Sequence, residues 1–193
     1  MKIIRATPIE YNELILEFEN GSMKKFSRNI VKTSAHYEFL SFPNKLKAFR
    51  TTPENLIWYN GTELGVDFLF TYSIPADQAE LTHSYFTLGS RNNAPTEHDS
   101  RHHVSYCCVN PFNLEKPITL GESIHGGHGE SGGQTPLSID ELFAWKWDWE
   151  NHMRKSDCEW AIEIIKTNKD NAQLLINKLI EAVCKQHFTT VKD

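Results

Sequence analysis

The feature that most constrains this chain is a change of hydrophobic period at Pro136-Leu137-Ser138. Ahead of it, apolar residues recur at every second position between turn residues, as in Leu14, Leu16 and Phe18 with Ile15 opposite. That is the period of a strand with one covered face. Behind it the spacing is helical: Leu175, Leu179, Val183 and Leu174 recur on one stripe, with Ile176, Ile180 and Cys184 nearby. Strands collected ahead of helices predict an α+β fold rather than an alternating one. The expected organisation is an N-terminal antiparallel β module over residues 1–72. A β–loop–helix region over 73–193 follows, ends in three helices and packs on the first module.

Local signals fill in this outline. Residues 2–8 and 12–19 read as strands, and Asn20-Gly21 predicts a type I′ hairpin with Met23–Phe26 returning. A short helix is expected between Thr33 and Phe42, broken by Pro43. Leu56 to Gly61 reads as a strand ending in a turn. Residues 81–89 and 102–109 are expected to pair antiparallel across the polar stretch 91–100, with a further short strand at Ile118–Leu120. Ser138-x-x-Glu141 and Ser156-x-x-Glu159 have the capping-box form, and Asn168 or Asp170 is expected to cap the last helix. No internal repeat is visible.

The hairpin, the short helix and the run Ile57-Trp58-x-Asn60-Gly61-x-x-Leu64-x-x-Asp67-x-Leu69 together carry a resemblance. Over residues 1–72 the chain resembles the small bacterial domain-of-unknown-function 2442 family, with Tyr59 where members carry proline. Some members resemble antidotes encoded beside toxin-like proteins, so the resemblance implies an antidote-like role and no catalytic residues. Read alone, Trp58 and the Asn-Gly turn are explained by packing and turn chemistry.

Composition narrows the partners. Hydrophobic residues at 39% and charged residues at 23% suit a globular protein with a core, not a disordered one. The formal charge of −5 argues against nucleic acid as main partner, because phosphate binding needs a basic surface, and it suits a basic protein. No long apolar run or leader is visible, so no membrane partner is expected and the cytoplasm is the expected compartment. The 4 cysteines are then reduced thiols.

Three chemistries deserve weighing. His98, His102, His103, Cys107, Cys108, His125 and His128 crowd one stretch, and imidazole with thiolate suits zinc. His102, Tyr106 and Cys108 would share one face of a strand, and His103, Ser105 and Cys107 the other. His83 would be brought beside them by pairing. Yet no Cys-x-x-Cys or His-Glu-x-x-His spacing is present. Gly129-Glu130-Ser131-Gly132-Gly133 has the Gly-x-Ser-x-Gly form, but no buried strand leads into Ser131. A phosphate nest in the glycine run would meet Glu122 and Glu130, which repel it. Gly121 to Gly133 therefore reads as a surface loop.

Trp145, Trp147, Asp148, Trp149 and Glu150 lie on the expected first C-terminal helix. Their alternatives are packing against the sheet or an exposed aromatic and acidic patch for a basic partner. The Leu175/Leu179/Val183 face is either core or a self-association surface. The reading is a non-enzymatic acidic protein that binds another protein, of antitoxin, immunity or phage anti-defence type, with no cofactor. The alternative is a metal-dependent enzyme or zinc-stabilised module using His102, His103, Cys107, Cys108, His125 and His128.

Overall fold

Two hairpins in the first half of the chain close by the same turn. The amide of Gly21 donates to the Phe18 carbonyl, and Phe18 to that of Ser22; Gly61 and Trp58 repeat the pattern with the Trp58 and Thr62 carbonyls. Each turn is therefore a three-residue loop, Glu19-Asn20-Gly21 or Tyr59-Asn60-Gly61, with glycine last at φ +79° and +81°. The Asn side chain accepts from the second residue on, Asn20 from Ser22 and Asn60 from Thr62. This corrects the type I′ expectation. The glycine follows a first turn and absorbs the left-handed step alone, which is the bulged form of a three-residue hairpin.

A computed structural model describes the chain except residues 11–12, 32–33, 94–101, 127–128, 146–148, 153–157 and 191–193. The fold is α+β, with antiparallel sheets and C-terminal helices. It divides into two compact units: Met1–Ser84 with Ile180–Asp193, and Tyr85–Leu179.

In the first unit, β1 (Ile3–Ile9), β2 (Glu13–Phe18), β3 (Met23–Ser27) and a short strand, Ile74–Pro75, form one sheet in that order. The three-stranded meander β4 (Phe49–Thr51), β5 (Asn55–Trp58) and β6 (Glu63–Gly65) forms another. Leu14, Ile15 and Leu16 are all buried, so β2 is covered on both faces and its alternation does not mark a solvent side. Burial of each such side chain stabilises by about 1.5–3 kcal/mol. Trp58 is 1% exposed and its indole N–H donates to the Leu46 carbonyl at 3.0 Å, so the signature tryptophan is a core residue.

Pro43 opens a helix rather than ending one. Ala35–Ser41 is a 3-10 segment, and α1 (Pro43–Lys47) begins at the proline, whose missing amide is no loss at that position. The apolar run is α2 (Val66–Tyr72). Residues 78–83 form α3 (Gln78–His83), not the start of a strand, because the Asp77 side chain accepts from the Glu80 amide and caps it. Residues 73–84, grouped with the second region in the sequence reading, lie in the first unit: Ile74 and Pro75 pair with β3. Lys25 also bridges Glu13 and Glu80 there.

The second unit holds a four-stranded antiparallel sheet in the order β11 (Gly129–Leu137), β10 (Ile118–Gly126), β9 (His102–Val109), β8 (Phe86–Asn93). The Gly121–Gly133 stretch, expected as a loop, is most of the β10–β11 hairpin, paired without slip from Ile118↔Leu137 to Gly126↔Gly129. The glycines signalled close approach of strands, not absence of structure. The helix α4 (Ile139–Phe143) opens with the complete Ser138/Glu141 capping box. It ends before Trp145, and Trp149–His152 is a separate 3-10 turn, so the single helix expected for the tryptophans is not formed.

Cys158, not Ser156, stands at the start of α5 (Glu159–Thr167); Ser156 lies outside the described residues. Asn171 caps α6 (Ala172–Thr190) through its bond from the Leu174 amide. Asn168, the expected cap, is buried and instead donates back to Ile164. Leu175, Ile176, Leu179, Ile180, Val183 and Cys184 are all buried within the chain while Leu174 is 44% exposed. The Leu175/Leu179/Val183 stripe is thus covered by the chain itself.

Candidate functional site

The β8–β9–β10–β11 sheet carries most of the residues singled out for chemistry, and its register sorts them. Directly opposed residues share a face. Ser90, Tyr106, Gly121 and Gln134 form one row, and His102 and His125 oppose each other farther along that face. On the other face Arg91, Ser105, Glu122 and Gly133 form a row beside Asn93, His103 and Ile124.

The histidines and cysteines separate by depth along β9. His102 is exposed and His103 half-buried, whereas Cys107 and Cys108 are buried. Burial pushes the Cys107 thiol well above its ordinary value, with Cys108 and Cys158 adding in the same direction. A thiol held protonated is neither nucleophile nor ligand. Cys108 Sγ lies 3.6 Å from the Thr87 hydroxyl, and the Cys158 thiol donates to the Leu88 carbonyl at 2.8 Å. His125 is brought beside His102 by strand register; His98 and His128 lie outside the described residues. His83 sits on α3, where its Nδ1 is 2.8 Å from the Ala79 carbonyl, and not on the sheet. Among the described residues no group of three or more His, Cys, Asp or Glu is placed to hold a metal.

Ser131 lies within β11, with no strand-to-helix elbow to expose a nucleophile. Of the tryptophan and acid group, Trp149 is 6% exposed and stacks edge-on with Phe143 at 5.9 Å. Glu150 pairs with Lys166 at 2.6 Å. Trp145 is half-buried, and Trp147 and Asp148 lie outside the described residues. Trp149 therefore serves packing and offers little ring surface to a partner.

Two features of this sheet escaped the sequence. Arg91 Nε is buried without a hydrogen-bond partner, which follows from a register no local pattern reveals. The other is β11 itself, the end strand of the sheet, exposed from Gly132 to Pro136. The signal for it was present as period-2 pairing potential around the glycines, masked by their number. From Ile118 to Leu137 the hairpin carries Glu122 and Glu130 and no lysine or arginine.

Comparison with family models, curated proteins and solved structures finds no match. No helix among the described residues is long and apolar enough to cross a membrane.

Proposed function

We propose that this protein is a non-enzymatic acidic binding protein that grips a more basic protein, in the manner of an antitoxin, an immunity protein or a phage anti-defence inhibitor. The observation that carries the reading is the exposed strand at the end of the second sheet, in a hairpin with two carboxylates and no cation, within a chain of charge −5. Such a surface steers a basic partner and repels nucleic acid. The resemblance of residues 1–72 to the antidote-like family supports the same role, and four buried free thiols suit a reducing cytoplasm.

The test is affinity purification from the native host, followed by reconstitution from two pure components. A stoichiometric complex whose affinity falls as salt rises from 50 to 500 mM, roughly a span over which the Debye length shrinks about threefold, is the expected result. Failure of every co-purified protein to re-form a complex sinks the reading.

A second reading is favoured by one observation, the opposition of His102 and His125 on neighbouring strands. In it, these imidazoles and that of His128 hold zinc in a metal-dependent enzyme or metal-stabilised module. Elemental analysis of the purified protein, and of His102→Ala with His125→Ala, separates the two. Stoichiometric zinc lost in the variant supports this second reading.

A further inference from the structure

Asn20 is a site of spontaneous modification: we infer that its side-chain amide becomes a carboxylate through a cyclic imide with Gly21, and does so faster than the matching amide of Asn60. This chemistry is independent of the binding role above.

The sequence holds two Asn-Gly pairs, Asn20-Gly21 and Asn60-Gly61, and the fold sets both in the same three-residue turn. In such a pair the glycine nitrogen can reach the Asn side-chain carbon, because no side chain crowds its approach. A Cβ at either glycine would meet nothing within 4 Å, and both asparagines are exposed, so both turns are open to water. The contact that must open to free the nitrogen is also the same. Gly21 N–H donates to the Phe18 carbonyl and Gly61 N–H to the Trp58 carbonyl, each at 2.9 Å. That cost therefore cancels between the two sites.

The turns differ at the carbon under attack. Asn20 Oδ1 accepts twice from Ser22, from the amide at 3.0 Å and from the hydroxyl at 2.7 Å. Among the described residues Asn60 Oδ1 accepts only from the Thr62 amide, at 3.1 Å. Attack places negative charge on Oδ1, so donors already aimed at it stabilise the tetrahedral intermediate. Asn20 has two such donors and Asn60 has one.

The reaction balances with water alone. The Gly21 nitrogen bonds to Asn20 Cγ and gives up its proton, the Cγ–Nδ2 bond breaks, and Nδ2 leaves as ammonia with that proton. One water then opens the imide. Opening at the side-chain carbonyl yields aspartate, and opening at the main-chain carbonyl yields isoaspartate, which routes the chain through Cβ. Either product adds one carboxylate and takes the formal charge from −5 to −6. The new charge sits next to Glu19, whose carboxylate already pairs with the N-terminal ammonium at 3.2 Å. Isoaspartate also adds a backbone atom to a turn closed at three residues.

The experiment incubates the folded full chain at pH 8 and follows both asparagines by peptide mapping and mass spectrometry. Product at Asn20 should accumulate about threefold faster than at Asn60, or more, the worth of one additional hydrogen bond. In guanidinium chloride, where neither turn exists, the two rates should converge. Ser22→Ala keeps the amide donor and loses the hydroxyl, so it should slow Asn20 by about threefold and leave Asn60 unchanged. Equal rates in the folded chain, a ratio that survives denaturant, or no product at Asn20 overturns the inference. So does a folded Ser22→Ala that is modified as fast as the parent. Comparing the folded with the denatured parent needs no variant, and it decides the matter even where Ser22→Ala does not fold.

Discussion

The ring of Tyr106 lies over Gly121 on the neighbouring strand, in the space a Cβ would fill, and its hydroxyl accepts a 2.9 Å hydrogen bond from Gln134 Nε2 one strand farther on. One side chain thus spans β9, β10 and β11. A glycine inside a strand loses packing, and a cross-strand aromatic covers the gap it leaves. Gly121→Ala should displace the ring and destabilise the second unit by about 1–3 kcal/mol, as overpacking does. Tyr106→Phe, which removes only a partly solvated hydrogen bond, should cost about 0.5–1 kcal/mol. Urea unfolding measures both, and equal costs would show that the hydroxyl, not the ring, is what matters.

The matched hairpin turns give a second pair of expectations. A Cβ at Gly21 or Gly61 meets nothing within 4 Å, so its cost is purely that of the left-handed backbone. Gly21→Ala and Gly61→Ala should each lose about 1–2 kcal/mol. Gly21→Asn and Gly61→Asn should lose less, because asparagine tolerates that region. The comparison by thermal unfolding fails if alanine and asparagine are indistinguishable.

All four cysteines are buried, and burial pushes the Cys184 thiol up to about 12, more than nearby Lys47 pulls it down. At pH 8 none should react with a thiol reagent in the native protein within minutes, and all should react at once in denaturant. Rapid labelling of Cys107 or Cys108 in the native state would contradict the described burial of β9.

His187, half-buried on α6, is held below its ordinary value of 6.5, first by burial and then by Lys47. Lys47 itself pairs with Glu10 at 3.7 Å. The unfolded chain therefore takes up the proton first. Stability is full above pH 6.5 and is lost as pH falls below it towards the folded-state value. The urea midpoint should drop between pH 7.5 and pH 5, and His187→Gln should flatten that drop. An unchanged slope in the variant would assign the pH dependence elsewhere.

Arg91 Nε is buried with no hydrogen-bond partner among the described residues, and desolvation of that N–H is a cost. Arg91→Met keeps the stem and should leave stability unchanged or raise it by up to about 1 kcal/mol. A loss greater than that would mean the guanidinium is paired in solution.

Much of the local architecture was legible in the residues. The strands around Leu14, Leu16 and Phe18, the strand His102–Val109, the capping box at Ser138 and the stripe through Leu175 and Val183 all formed where the period placed them. Errors fell where two local signals compete. Leu81-Thr82-His83 has β-formers, but the Asp77 cap decides for helix. Gly121 to Gly133 has loop composition, but two flanking strands supply the ladder that glycine lacks on its own. Of the site, the histidine and cysteine crowding was visible, and the depth that withdraws Cys107 and Cys108 was not.

The sequence by itself determined which segments pair locally, where chain direction reverses and the sign of the protein's charge, because these depend on residues a few positions apart. Only the tertiary structure decided that β11 ends its sheet, that Trp149 is core and that Arg91 shares a row with Glu122. Those facts depend on which distant strands become neighbours, and a one-dimensional pattern carries the period of a strand without its place in the sheet.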